Sequence, residues 1–197
     1  MSFWYRVLYR LGITPWDRDE VPARVKEVAA EFPQPGRAFD LGCGTGRDAV
    51  YLAQQGWTVT GVDAVTQALD SARKRAAAAG VEVEWVEGDV TRLEELGLRE
   101  GYDLFLDRGC FHGLPQGAQE ACARGVDALA APGATLLIFA FSPGFHGPAP
   151  RGISADELTQ RFGQGWELES STPETPVGLP PWLRGVELSW HRLKRRG

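Results

Sequence analysis

No stretch of the 197-residue chain approaches the ~20 consecutive apolar residues that a membrane-spanning helix needs; the longest run, 134–141, has the length of a strand. Cysteine is scarce: three residues, Cys43, Cys110 and Cys122, with no C-x-x-C pair. That count argues against a disulfide scaffold and against a structural zinc site, and it suits a reducing cytoplasm. A basic surplus is missing too, with 21 Lys and Arg against 26 Asp and Glu and a formal net charge of -5. Binding to a phosphate backbone needs concentrated positive charge, so no nucleic-acid partner is expected. The short basic tail HRLKRR (191–196) reads as a solvated end. The start, MSFWYRVLYRLG, has neither the long apolar region nor the small-residue cleavage site of a signal peptide. No internal repeat or low-complexity block interrupts the chain.

What remains is the composition of a globular protein, 43% hydrophobic and 24% charged, with length enough for one domain and a core that needs no staples. Phe3, Trp4, Val7, Leu8 and Leu11 recur at helical spacing, which predicts a short helix docked on its own domain. An interfacial membrane helix would share that spacing.

Periodicity and breakers divide the rest. Residues 20–31 read as a helix with Val21, Val25, Val28 and Ala29 on one face, closed by Pro33, Pro35 and Gly36. RAFDL (37–41) is a short strand running into a glycine cluster, and 47–55 is the helix after it, stopped by Gly56. WTVTGV (57–62) is a strand, 65–79 a helix closed by Gly80, and VEVEWVE (81–87) a strand with one wet face. YDLFL (102–106) is the next strand and 116–129 the next helix. GATLLIFAF (133–141) is apolar on both faces, the mark of a strand inside a sheet covered by helices. Residues 142–151, rich in Pro and Gly, form a loop; 155–162 is a short helix; 166–171 and 185–192 are the last strands. Strand and helix alternate throughout, which predicts an α/β sheet with helices on both faces.

Asp40-Leu41-Gly42-Cys43-Gly44-Thr45-Gly46 lies between the first strand and its helix. Glycines there let the backbone turn tightly and approach a ligand, and the helix start that follows offers unpaired N–H groups. The spacing is G-x-G-x-G. A dinucleotide fingerprint puts its third glycine one position later, where this chain has Arg47. Asp63 ends the next strand, where a parallel α/β sheet holds a ribose hydroxyl pair. Asp89 ends the third strand, within reach of an adenine amino group across the same crevice. These acids sit at the C-terminal ends of neighbouring strands, the usual place for ligands in open α/β sheets.

This constellation resembles the class I S-adenosylmethionine-dependent methyltransferases, through FDLGCGTG (39–46), GVD (61–63), GDV (88–90) and YDLFLD (102–107). The resemblance implies a single domain over 1–197 with a Rossmann-like, seven-stranded, mostly parallel sheet whose last strand is antiparallel. Residues 1–31 would form a helical cap and 142–165 a lid at the acceptor site. It implies S-adenosylmethionine as cofactor and S-adenosylhomocysteine as product. By position, Asp40, Gly42, Gly44 and Gly46 line the methionine part, Asp63 and Ala64 the ribose, and Asp89 and Val90 the adenine. Cys43 stands where the motif often has Cys and reads as a packing residue.

Thr14-Pro15-Trp16-Asp17 and Asp107-Arg108-Gly109-Cys110-Phe111-His112 look like the branch containing thiopurine and tellurite-resistance methyltransferases. That resemblance places Trp16 over the cofactor, although an aromatic anchor for the N-terminal helix has the same sequence appearance. Asp107 either orients the methionine ammonium or the acceptor, or caps its own turn. His112 is either a general base toward the acceptor or a packed, hydrogen-bonded histidine. His146 falls in the Pro/Gly loop expected to cover the acceptor, and His191 reads as structural. The acceptor is expected to be a small molecule: the Asp-Pro-Pro-Tyr or Asn-Pro-Pro-Tyr of base-amino methylation is absent. Two rivals remain at this stage, a nicotinamide oxidoreductase and a cofactor-binding partner subunit without transfer activity.

Overall fold

The computed structural model describes residues 20–147, 149–175, 183 and 185–197. The expected helix near the N-terminus and Trp16 lie outside the described residues. Seven strands form one sheet in the order β3-β2-β1-β4-β5-β7-β6. They are β1 (Arg37–Leu41), β2 (Thr58–Asp63), β3 (Glu84–Glu87), β4 (Tyr102–Arg108), β5 (Ala130–Phe141), β6 (Trp166–Glu174) and β7 (Leu188–Arg195). All neighbours run parallel except β7, which is antiparallel to both β5 and β6. The α/β, mostly parallel sheet with its last strand reversed is therefore as expected. Among the described residues five α-helices accompany it: α1 (Ala23–Ala30), α2 (Arg47–Gln54), α3 (Thr66–Ala79), α4 (Gln116–Leu129) and α5 (Ala155–Phe162).

Alternation along the central strands sorts the core onto two faces. Ala38, Leu104, Leu106 and Leu137 pack with Val25 and Val28 of α1 and Ala49 and Leu52 of α2. Phe39, Leu41, Phe105 and Ile138 face the other way, onto Cys122, Val126 and Leu129 of α4 and Leu158 and Phe162 of α5. The chain leaves β1 toward β2 and β3, then returns to place β4 on the other side of β1. That reversal opens a crevice at the C-terminal ends of β1 and β4, the switch point where open α/β sheets take ligands.

Boundaries differ from the sequence reading where pairing overrides pattern. β3 covers only Glu84–Glu87, because Val81 N–H is spent on Ala76 O as α3 closes through left-handed Gly80. β5 starts at Ala130, which pairs with Tyr102 ahead of a register shift. β6 runs three residues past 166–171, and β7 is shifted three residues along from 185–192, because each supplies the other's hydrogen bonds. The basic tail is mostly strand as a result. Arg192 pairs with Glu31 and Glu169, and Arg195 with Asp127 and the Ala130 carbonyl. Three short 3-10 turns among the described residues, Val90–Glu95, Phe111–Gly113 and Gly163–Gly165, were not legible in the pattern.

Two glycines separate backbone strain from steric conflict. Gly46 and Gly80 have φ of 75° and 68°, a region costing an L-residue ~1–2 kcal/mol. A Cβ on Gly46 would lie 2.4 Å from Trp85 and 2.8 Å from Ala72, whereas one on Gly80 would meet nothing within 4 Å. Urea unfolding is expected to show a loss of ~1 kcal/mol for Gly80→Ala and ~3 kcal/mol for Gly46→Ala, because only the latter adds overpacking. Equal losses would show that the neighbours of Gly46 yield freely.

Candidate active site

β1 carries Asp40 to the crevice, and the glycine loop that follows is held from two sides. Cys43 N–H donates to Val62 O at 3.0 Å and Gly46 N–H to Cys43 O at 2.9 Å. Asp63, at the end of β2, accepts from Gly44 N–H through one oxygen and from Val65 N–H through the other, both at 2.9 Å. Gly42, Gly44 and Gly46 all have positive φ. A Cβ on Gly42 would stand 2.7 Å from that of Cys110, so the loop after β4 closes against the loop after β1 only because Gly42 has no side chain. The predicted site residues Asp40, Gly42, Cys43, Gly44, Gly46, Asp63, Ala64 and Asp107 thus meet at one end of the sheet. Asp89 and Val90 follow β3 at the same end, since β2 and β3 are parallel.

The acids there are unequal. Asp40 is buried, and burial, then repulsion from Asp48, Asp107 and Asp63, pushes its carboxyl well above the usual range against the attraction of Arg47. Burial also raises Asp63, partly offset by its main-chain donors. Asp107 is raised to about 7 by burial, although Gly109, Cys110 and Phe111 all donate to it. Both Asp107 oxygens are therefore engaged by its own turn, the plainer of its two readings. For Asp89 burial acts upward, but the Thr91 N–H and hydroxyl outweigh it and hold the carboxyl low.

His112 is corrected as a general base. Its Nδ1 accepts from Phe141 N–H at 2.9 Å, so the lone pair that would take a proton is already used. Burial, then the nearby His146, pushes its pKa down to about 4 against a main-chain hydrogen bond at Gly109. The ring joins the loop after β4 to the end of β5. His146 is arranged differently: Nε2–H donates to Ser142 O at 2.8 Å, which leaves the lone pair on Nδ1. His191 is buried and bonds Ser171 Oγ at 2.8 Å, consistent with a structural role. Burial raises the Cys43 thiol well above its usual range, so it stays protonated, as a packing residue should.

Three charged residues escaped the sequence reading. Arg47 and Asp48 open α2 and are both buried, and Arg108 ends β4. Asp48 pairs with Arg47 at 3.2 Å and with Arg108 at 2.7 Å. The available signal was an Arg-Asp pair on the first turn of a helix whose start had to face the glycine loop. A separate cleft of ≈790 Å³, lined by Arg37, Trp57, Thr58, Arg73 and Trp85 among others, opens beside the N-terminal ends of β1 and β2 and is not part of this site.

Comparison with known proteins agrees with the geometry. The family described as a methyltransferase domain matches residues 38–133. A 2-heptyl-1-hydroxyquinolin-4(1H)-one methyltransferase of Mycobacteroides abscessus is 28% identical over 165 residues, 81% of this chain and 71% of that one. A solved structure from work on the conversion of a disulfide bond into a thioacetal group during echinomycin biosynthesis is 26% identical. It has a TM-score of 0.81 and covers 100% of this chain and 92% of the other. The 1,6-didemethyltoxoflavin-N1-methyltransferase of Burkholderia thailandensis, solved with S-adenosylhomocysteine, shares the fold at 23% identity and a TM-score of 0.77, covering 98% and 86%. Residues 38–133 thus match a methyltransferase domain, the sheet is that of the class I methyltransferases, and the chain is an S-adenosylmethionine-dependent methyltransferase.

The residues present fit that cofactor. S-adenosylmethionine carries two cationic centres, and the crevice gathers the buried carboxyls of Asp40, Asp48, Asp63 and Asp107 against the guanidinium groups of Arg47 and Arg108. Among the described residues none donates a hydrogen bond to the Asp40 carboxyl, which is 4% exposed. The cofactor supplies a methyl group already activated on a sulfonium, so the protein's task is to bind, orient and exclude water. G-x-G-x-G followed by Arg47, instead of a nicotinamide fingerprint, is consistent with this choice.

His112 couples this region to pH. Its folded pKa, about 4, lies below the ordinary 6.5. The unfolded chain therefore binds a proton between those values that the folded chain refuses. The stability tied to the neutral ring is complete above pH 6.5 and is lost as pH falls toward 4, at most ~3 kcal/mol. In urea unfolding, the advantage of wild type over His112→Gln should shrink by that order between pH 7.5 and pH 4. A difference independent of pH would show that the ring does not stay neutral.

Proposed function

We propose that the enzyme methylates a small molecule at sulfur, oxygen, nitrogen or another soft atom, and that it works in a reducing compartment. The observation that carries this is the aromatic group at the end of β5. Phe141 lies edge-on to His112 and His146 with centroids 4.9 and 5.9 Å apart, and Phe139 packs against Trp190 at 5.1 Å. Arg108 is the register partner of Phe139. Rings and a guanidinium beside the switch point suit a compact, planar acceptor far better than a folded macromolecule. The relative from Mycobacteroides abscessus is named for such a ring compound.

In this reading Asp40, Gly42 and Gly44 line the methionine part of the cofactor, Asp63 takes the ribose hydroxyls and Asp89 with Val90 flanks the adenine. The 142–165 segment faces the acceptor, and Phe145, 94% exposed near the tip of its first loop, is an apolar ring placed to close on it. Methyl transfer is an in-line displacement: the acceptor lone pair forms a bond to the methyl carbon as the carbon–sulfur bond breaks, and S-adenosylhomocysteine leaves. An acceptor that ionises in water needs no base. For one that arrives protonated, His146 takes the proton on Nδ1, because its Nε2–H is fixed on Ser142 O.

Incubation with methyl-labelled cofactor and a panel of thiols, phenols, N-hydroxy heterocycles, amines and halides tests the proposal. Label is expected in one or more small acceptors, and transfer confined to protein or nucleic acid would overturn it. Two variants sharpen the assignment. Asp63→Ala should weaken S-adenosylhomocysteine binding by about tenfold to a hundredfold in calorimetry; an unchanged dissociation constant in the folded variant would place the ribose elsewhere. With a protonated acceptor, His146→Gln should lower kcat by ~10²–10⁴-fold and His112→Gln by no more than a few-fold. The reverse order would return the base role to His112.

A further inference from the structure

The first turn of α2 holds a charge imbalance that the fold does not resolve. Arg47 is 3% exposed, and its Nε contacts Asp48 Oδ1 at 3.2 Å. The other Asp48 oxygen lies 2.7 Å from Arg108 Nε. One carboxylate therefore answers two guanidinium groups. Arg47 Nη1 and Nη2 are buried and have no hydrogen-bond partner among the described residues. Buried donors left without an acceptor are costly to a fold, and these adjoin the glycine loop. Asp40, at the end of β1, is the opposite case: a buried carboxyl to which none of the described residues donates. The two feel each other's charge without forming an ion pair.

A buried guanidinium edge without an acceptor and a buried carboxyl without a donor among the described residues, flanking one glycine loop, describe the complement of a zwitterion. The methionine part of the cofactor carries an ammonium and a carboxylate on one carbon. We infer that Arg47 is the carboxylate-recognition residue of the cofactor site, donating from Nη1 and Nη2 to the α-carboxylate, with Asp40 left to the ammonium. Asp48 acts as a positioning residue: it holds Arg47 by Nε and so turns the two-nitrogen edge toward the ligand. The arrangement explains why an arginine, buried at a cost, stands where a dinucleotide-binding loop has its third glycine. The positive end of α2 acts in the same direction. The inference rests on the methyltransferase reading and adds to it a basis for choosing among adenosyl thioethers.

Calorimetry at pH 7.5 with three ligands tests it. They are S-adenosylhomocysteine, 5′-deoxy-5′-(3-aminopropylthio)adenosine, which lacks only the carboxylate, and 5′-methylthioadenosine, which lacks both charges. Wild type should bind S-adenosylhomocysteine about tenfold to a hundredfold more tightly than the aminopropyl compound. Arg47→Met should weaken S-adenosylhomocysteine by a similar factor and leave the aminopropyl compound within ~3-fold, so that the preference disappears. Arg47→Lys, which keeps the charge without the fork, should retain part of it. Equal weakening of both ligands in Arg47→Met would assign the arginine to packing and overturn the inference, as would a wild type that does not distinguish them. If Arg47→Met fails to fold, the wild-type comparison and Arg47→Lys decide the matter by the same criteria. A wild type that binds none of the three would overturn the methyltransferase reading together with the inference, whereas binding without carboxylate preference would overturn the inference alone.

Discussion

The Asp63 carboxylate fastens the glycine loop after β1 to the end of β2, and the rest of the site is arranged around that contact. Its two oxygens take the N–H groups of Gly44 and Val65, so one side chain sets both the path of the loop and the start of the segment leading into α3. The cost of burying an acid is offset by those two donors and contributes to a fixed geometry. Glycines at 42, 44 and 46 supply the left-handed backbone that the path requires. The loop after β4 then closes over Gly42 through Cys110, and Asp107 organises that loop by accepting three of its own N–H groups. Three turns from three strands are locked together before any ligand is considered.

Charge is concentrated where this framework is tightest. Four buried aspartates and two arginines share the crevice, and among the described residues their pairing is incomplete in a consistent way: the Asp40 carboxyl lacks a donor and the Nη1 and Nη2 groups of Arg47 lack an acceptor. A protein that binds a sulfonium amino acid has a use for such a deficit, because the energy withheld from the fold is recovered on binding. Methyl transfer asks chiefly for position, and the structure invests accordingly in fixed loops. His112 shows the same preference. A histidine beside the reaction region is used to join two loops, while the neighbouring His146 keeps its lone pair.

Much of the fold was legible because its signals are local. Glycine spacing at 42–46, acids at strand ends and the doubly apolar 134–141 run each follow from backbone sterics or burial over a few residues, and they pointed to this sheet. Strand limits at β3, β5, β6 and β7 were not legible, because they depend on which neighbour is present to accept hydrogen bonds. The 3-10 turns follow from capping and loop closure, with the Asp89 side chain capping the first. Within the site, the aspartates were found because their position at strand ends is written in the sequence. Arg47 and Arg108 were missed because a charged residue in a loop or first helical turn is ordinarily solvated, and only packing shows that Arg47 is buried and that Arg108 is held on Asp48.

The sequence by itself determined the alternation of strands and helices, the glycine loop, the acids that surround it and the methyltransferase class, since each rests on residue type and short spacing. Tertiary structure decided the rest. It chose between the readings of His112 through a single donor, the Phe141 N–H, that lies 29 residues away along the chain. It placed Asp107 in its own turn, buried Arg47 near Asp40, and left the outer edge of the Arg47 guanidinium and the Asp40 carboxyl without hydrogen-bond partners among the described residues. Protonation, pairing and burial are properties of what surrounds a side chain, and the surroundings come from segments that only the folded sheet brings together.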